Sequence, residues 1–209
     1  MEVQEDVAPR LPRGPHQLTR EQVVLSQRTR MLRAMADVMA EKGYAATSVG
    51  EVLRTARVSR ETFYEQFSSK EDCFMGAFEA AVEIVLGRVL EVPAHDGPPL
   101  ERFGRGLRAY LDALASHPEF ARLFLVEVYA AGPRAAELRA VLQQRFTDAV
   151  NDALGARTAA DRFANEALVA AIGAMATARI VAGDLDGLRA LHRPLMRYAR
   201  RLEAARTAN

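Results

Sequence analysis

Within eight positions the chain places Arg57, Ser59, Arg60, Glu61, Thr62 and Tyr64. The chemistry such a set offers is hydrogen bonding to anions and to base edges. A guanidinium at Arg60 either bridges O6 and N7 of a guanine or simply neutralises backbone charge, and Thr62 can meet a thymine methyl or donate its hydroxyl. Glu61 either accepts from a cytosine amino group or favours a helix N-terminus electrostatically. The Tyr64 phenol either donates to a phosphate or is an edge-of-core tyrosine facing water. Thr47 and Ser48 upstream can anchor phosphates through hydroxyls and amides, although capping needs only one of them. Lys70 downstream stands at the positive end of a helix, which suits an external anion such as a flanking phosphate; an unpaired surface lysine is the alternative.

The surrounding elements must present this set. Thr19 and Gln22 make a capping box, and Leu25, Leu32, Met35 and Met39 recur on one face until Gly43, so the spacing predicts a first helix ending near Lys42. Ser48 and Glu51 make a second capping box before Val49, Val52, Leu53 and Ala56, a helix of about two turns. After a break at Arg57 and Val58, Ser59 caps a third short helix that turns Phe63 and Phe67 inward. Neither short helix can bury its face alone, so both lean on the first. That is the helix-turn-helix arrangement, whose last helix enters the major groove.

The stretch from Arg30 to Phe78 resembles the DNA-binding domain of the TetR family of bacterial transcriptional regulators. The resemblance rests on Gly43-Tyr44, Thr47-Ser48-Val49, Val58-Ser59, Thr62-Phe63-Tyr64, Phe67 and Lys70-Glu71. It implies an all-helical homodimer of roughly nine helices per subunit that binds a pseudo-palindromic operator and usually represses transcription until a small molecule binds the C-terminal domain. It also implies that Ser59 caps the recognition helix, that Arg60, Glu61 and Thr62 meet DNA, and that Thr47, Tyr64 and Lys70 meet phosphates. One landmark departs: the family commonly has glycine where this chain has Arg57. If the turn needs positive φ there, a Cβ costs about 1 kcal/mol, offset in part by a phosphate contact from the same side chain.

Beyond the corner, Ser68 or Ser69 caps a long helix from Lys70 to about Glu91 that carries Phe74, Phe78, Val82, Val85 and Val89, with Cys73 near its start. A break follows at Pro93 to Pro99. Helical segments are then expected at Leu100 to Ser116, Glu119 to Ala131, Arg134 to Leu154, Ala159 to Ala182 and Leu188 to Ala205, and no strand is expected. The predicted fold is therefore all-α: a flexible arm over 1–18, a helix-turn-helix domain over 19–68, and a larger antiparallel helical domain over 69–209 for effector binding and dimerisation. Arg10 and Arg13 of the arm either follow a DNA groove or belong to a frayed terminus.

Small residues at helical spacing in the penultimate helix (Ala170, Gly173, Ala174, Thr177, Ala178) let two helices approach closely. They predict a four-helix dimer interface with Leu191, Leu195, Tyr198 and Leu202 of the last helix, or else a tight contact within one chain. Phe103, Leu107, Tyr110, Phe120, Phe124, Tyr129, Phe146 and Met175 lie on helices that the resemblance expects to surround an effector pocket; the same residues could simply fill a core. An apolar or aromatic effector is expected. Coupling is expected through the helix that begins at Lys70, which touches both domains.

Composition bounds the alternatives. The 209 residues are 49% hydrophobic and 26% charged, which argues against a disordered chain. Net charge is only +1, but ten basic residues face four acidic ones between Pro9 and Arg60, so a local +6 is balanced by −5 elsewhere. One cysteine excludes a disulfide scaffold, and the apolar run of a signal or membrane-spanning segment is absent, so a cytoplasmic protein is expected. His16, His95, His117 and His192 lack metal-ligand spacing and no glycine-rich phosphate loop occurs. Neither enzyme activity nor a cofactor nor a metal is expected. The partners expected are duplex DNA, a second copy of the chain and a small-molecule effector. An effector-independent regulator, or a helical protein-interaction module, is the competing reading.

Overall fold

Ten α-helices and one 3-10 turn make up the described residues, 19–91 and 97–207, of this computed structural model. The arm with Arg10 and Arg13, together with His16 and His95, lies outside them. No strand occurs among the described residues.

Local signals set most boundaries. Helix α1 (Arg20–Ala46) opens on the Thr19–Gln22 capping box, and Gly43 breaks its regularity with φ 79° and ψ 166°. The expected end near Lys42 is thus a kink, followed by one further turn. Helix α2 (Val49–Ala56) opens on the Ser48–Glu51 box, and α3 (Arg60–Gln66) on Ser59, whose Oγ accepts from Thr62 N at 3.0 Å. Helix α4 (Lys70–Leu90) is capped by Ser69, which accepts from Asp72 N, while Asp72 accepts in turn from Ser68 N. The inward groups of these helices, among them Met31, Met35, Met39, Val52, Phe63, Phe67, Phe74 and Phe78, form one buried core.

Prolines then start α5 (Pro99–Ser116), α6 (Pro118–Leu125) and α7 (Pro133–Leu154), at first-turn positions where a missing N–H costs nothing. Helix α8 (Ala159–Ala182) opens on a Thr158–Asp161 capping box and ends at Gly183. Two expected helices are each divided. The 119–131 segment stops at Leu125 and continues as the 3-10 turn Glu127–Tyr129, which swings Glu127 into the interior. The 188–205 segment becomes α9 (Leu185–Ala190) and α10 (His192–Thr207). Pro194 accounts for the second break: in a continuous helix its ring would meet the carbonyl of Ala190, whereas in the first turn of α10 it is tolerated.

Candidate nucleic-acid interface and ligand cavity

The turn between α2 and α3 is closed by backbone. The N–H groups of Arg57 and Val58 both return to Leu53 O, and Arg57 sits at φ 55°, ψ 51°. It is the one non-glycine residue with positive φ among the described residues. The departure from glycine therefore falls on the position that needs a left-handed residue, at a cost of about 1 kcal/mol.

Beyond the turn, Arg57, Ser59, Arg60, Glu61 and Tyr64 are exposed. Neither Arg57 nor Arg60 has an ion-pair partner among the described residues. Tyr64 packs edge-on against buried Phe63 with ring centroids 5.3 Å apart and remains 49% exposed. Thr62 is half-buried, with its hydroxyl 2.9 Å from that of Ser59. Ser48 is exposed at the start of α2; its N–H and hydroxyl donate to the Glu51 carboxylate, and its Oγ accepts from Glu51 N. Lys42 also pairs with that carboxylate, and these bonds lower the Glu51 pKa to about 2.

Two expected phosphate anchors are placed differently. Thr47 is only 3% exposed, and its hydroxyl donates to Gly43 O at 2.8 Å because the kink leaves that carbonyl unpaired. Lys70 is not a spare cation at the start of its helix: Nζ donates to Tyr44 O at 3.0 Å and Thr47 O at 3.1 Å, and lies 4.1 Å from the Tyr44 ring centroid. It closes the end of α1. Arg30 does the same for α2, donating to Ala56 O at 3.1 Å, and Arg28 for α3, donating to Gln66 O at 3.5 Å over the Phe67 ring. Part of the N-terminal basic excess thus holds helix ends together. Sequence reasoning missed these roles, since each carbonyl lies more than twenty residues from its cation.

A cavity of about 710 Å³ lies among α4, α5, α6, α7 and α8. Of the predicted pocket residues, Phe103, Leu107, Tyr110, Phe124 and Phe146 line it. Three do not: Phe120 packs on the core from its edge, Tyr129 is exposed beside a second cavity of about 300 Å³, and Met175 points outward at 46% exposure. Met175 stands at the rim of the stripe of α8 formed by Leu168, Ile172 and Ala176, which are buried, and its side chain is left in solvent. The lining includes groups that the aromatic pattern did not indicate: Arg102, Arg139, Gln143, Asp152 and Gly173. Burial pushes the Tyr110 phenol up to about 12, with nearby Arg139 acting in the opposite direction.

Helix α8 carries a second, uncovered face with Phe163, Ala170, Ala174, Met175, Ala178 and Val181 exposed, and Tyr198 of α10 is exposed as well. Leu191 and Leu195, expected at the same interface, are buried within the chain, because the break before α10 turns them onto the core. Gly173 faces inward, its position for a Cβ 3.9 Å from Arg139 Nη2, and Thr177 and Leu202 are half-buried. By length and composition α8 is also apolar enough to cross a membrane, with a third of that window buried inside the chain.

Beyond the continuous apolar core, two sets of contacts tie the end of α1 to the later helices. Glu127 is buried, accepts from Tyr44 N at 2.9 Å and pairs with Arg122 at 3.3 Å. A row of rings runs from Tyr44 through Phe74 and Phe78 to Phe124, with successive centroids 5.4, 6.2 and 5.5 Å apart, and the Arg139 guanidinium lies 4.9 Å from the last. Cys73, beside Phe74, is fully buried, and its thiol is pushed up to about 12 by desolvation. No group of three or more candidate metal ligands occurs among the described residues.

A capped short helix with a polar, exposed first turn, set by a left-handed corner on a helical body, defines a helix-turn-helix DNA-binding regulator of transcription. Residues 31–76 match the family model described as bacterial regulatory proteins, tetR family. That stretch, which holds the helix-turn-helix, thus carries the TetR-family signature, and the described helices have the fold of a TetR-like regulator from Rhodococcus. It is similar to the HTH-type transcriptional activator FasR of Mycolicibacterium smegmatis, at 25% identity over 150 residues, 72% of this chain and 68% of FasR. It is also similar to the transcriptional regulator AcuR of Cereibacter sphaeroides, at 33% identity over 89 residues, 42% of this chain and 40% of AcuR. Among solved structures, the fatty acid degradation regulator FadR from Bacillus halodurans superposes with a TM-score of 0.70 at 18% identity, covering 82% of this chain and 93% of that one. FadR from Bacillus subtilis, solved with stearoyl-CoA, gives 0.69 at 16% identity, covering 81% and 95%. These likenesses show the same fold.

Proposed function

We propose that the protein is a homodimeric, ligand-responsive repressor that releases a palindromic operator when an apolar or aromatic molecule fills the cavity of the larger domain. The observation that carries the DNA half is the exposed first turn of α3, with Arg60 and Tyr64 free to meet a groove and its phosphates. Ser59 holds the helix start, Glu61 and Thr62 follow Arg60 in the same first turn, and Arg57 and Ser48 supply contacts to the backbone on either side. Lys70 keeps one donor for a phosphate while its others close α1. Thr47 shapes that end from the interior.

Dimerisation through the uncovered face of α8, with Tyr198 beside it, would place two recognition helices on successive turns of one duplex face. The row from Tyr44 to Phe124 and the Glu127 grip on Tyr44 supply a physical route by which ligand at Phe124 biases the pose of α1 and α4. The stearoyl-CoA bound to the Bacillus subtilis FadR supports a largely apolar effector. The name of FasR favours a second reading of the sign, in which the same DNA contact activates transcription.

The test is selection of bound sequences from a random duplex pool, followed by titration of the selected duplex. An inverted repeat bound by a dimer in sedimentation, with steep loss of affinity in salt, is the expected result. A monomer without duplex preference at low salt would sink the proposal.

A further inference from the structure

The cavity is apolar over most of its wall, yet it contains a cation without a counter-ion. Arg139 is 8% exposed and forms no ion pair among the described residues. Its Nη1 donates to Gln143 Oε1 at 3.3 Å, its guanidinium leans on the Phe124 ring, and its Nε is buried with no hydrogen-bond partner. A cation–π contact offsets only part of the cost of removing a guanidinium from water, and a neutral amide oxygen cannot neutralise it. The group is therefore poised for an anion.

The surroundings give the site a direction. Arg139 and Asp152 both line the cavity from α7, and their thirteen-residue separation spans about 20 Å along the helix. Asp152 is exposed, and near it Arg102 is committed to the carbonyls of Gly97 and Ala153. The charges of Arg102 and Asp152 offset one another at that end, whereas no carboxylate pairs with Arg139 at the other, so a negative head is favoured beside Arg139. Tyr110 also lines the cavity, near enough to Arg139 for the guanidinium to act on its phenol. Gly173 leaves the space beside the guanidinium open. Glu166 lines the second cavity, on the far side of Arg139, and makes no pair with it.

We infer that the cavity binds an amphiphilic carboxylate, with its anionic head paired to the Arg139 guanidinium and its apolar tail lying along α7 toward Asp152. This rests on reading the cavity as the effector site, and it adds the charge and polarity of the ligand.

The experiment is calorimetric titration of the full chain with octanoate, decanoate and dodecanoate, each against the alcohol of equal chain length. The carboxylate is expected to bind at least about tenfold more tightly than its alcohol, and Arg139→Gln to remove that preference while leaving alcohol binding in place. Equal binding of acid and alcohol to the wild-type chain, or no saturable binding by any of the acids, overturns the proposal without recourse to the variant. Repeating the titration with the selected duplex present separates the two readings. Acid preference without release of DNA upholds the carboxylate site and removes its effector role. Release by acid and alcohol alike keeps the effector site and removes the anionic head.

Discussion

The two ends of the molecule place their recognition groups in opposite settings. On α3 the side chains proposed to read DNA stand in water, and what fixes them is backbone: the Ser59 cap, the Leu53 carbonyl that closes the corner, and Arg28 and Arg30 at the helix ends. Around the cavity Arg139, proposed to pair with the ligand, and Tyr110 are part of the wall itself. Recognition at the first site is therefore separable from stability, whereas at the second the same atoms serve both.

The largest expected effect tests that separation directly. The Arg60→Ala, Tyr64→Ala double variant should lose about 2–4 kcal/mol of operator affinity, a hundredfold or so, in a fluorescence anisotropy titration, while stability falls by no more than about 1 kcal/mol, the worth of the Tyr64–Phe63 ring contact. A larger fall in stability would break the comparison. Next, Glu127→Ala should destabilise the fold by about 2–3 kcal/mol in urea unfolding, because it strips the part-buried Tyr44 N–H and Arg122 of their shared partner. Arg57→Gly sharpens the contrast by moving two readouts apart. Relief at φ 55° should raise stability by about 0.5–1 kcal/mol, while operator affinity falls and its salt dependence loses about one phosphate contact.

The smallest effect concerns pH. The Glu51 pKa is lowered from 4.5 to about 2 by Lys42 and Ser48. Its folded value lies below its unfolded one, so the stabilisation is present above pH 4.5 and is lost as pH falls toward 2. Acid unfolding followed by circular dichroism should show a shallower decline through that window for Glu51→Gln.

Legibility in the sequence followed the range of the interaction. Both capping boxes, the Ser59 cap and the need for a left-handed residue at 57 are signals contained within three or four residues, and each stands where the pattern put it. Lys70 looked unpaired because its acceptors are carbonyls 23 and 26 residues away. Glu127 gave no signal, since its bond crosses 83 positions and the helix around it had to break for the side chain to turn in. In the cavity, Phe103, Tyr110 and Phe146 stood out as bulky groups, whereas Arg139 and Gln143 gave no signal. Their spacing with Phe146 and Val150 on one face of α7 carried the information, but a polar residue on an apolar face indicates nothing until the empty volume beside it is seen.

Glu127 grips a peptide N–H, so the identity of the side chain at position 44 is immaterial to that bond. Position 43 has no such latitude. A Cβ there would stand 3.3 Å from the same carboxylate oxygen, on a backbone already at φ 79°. Adjacent residues in one joint are thus held to unequal standards, and exchange at 44 leaves the clasp closed where even alanine at 43 prises it open.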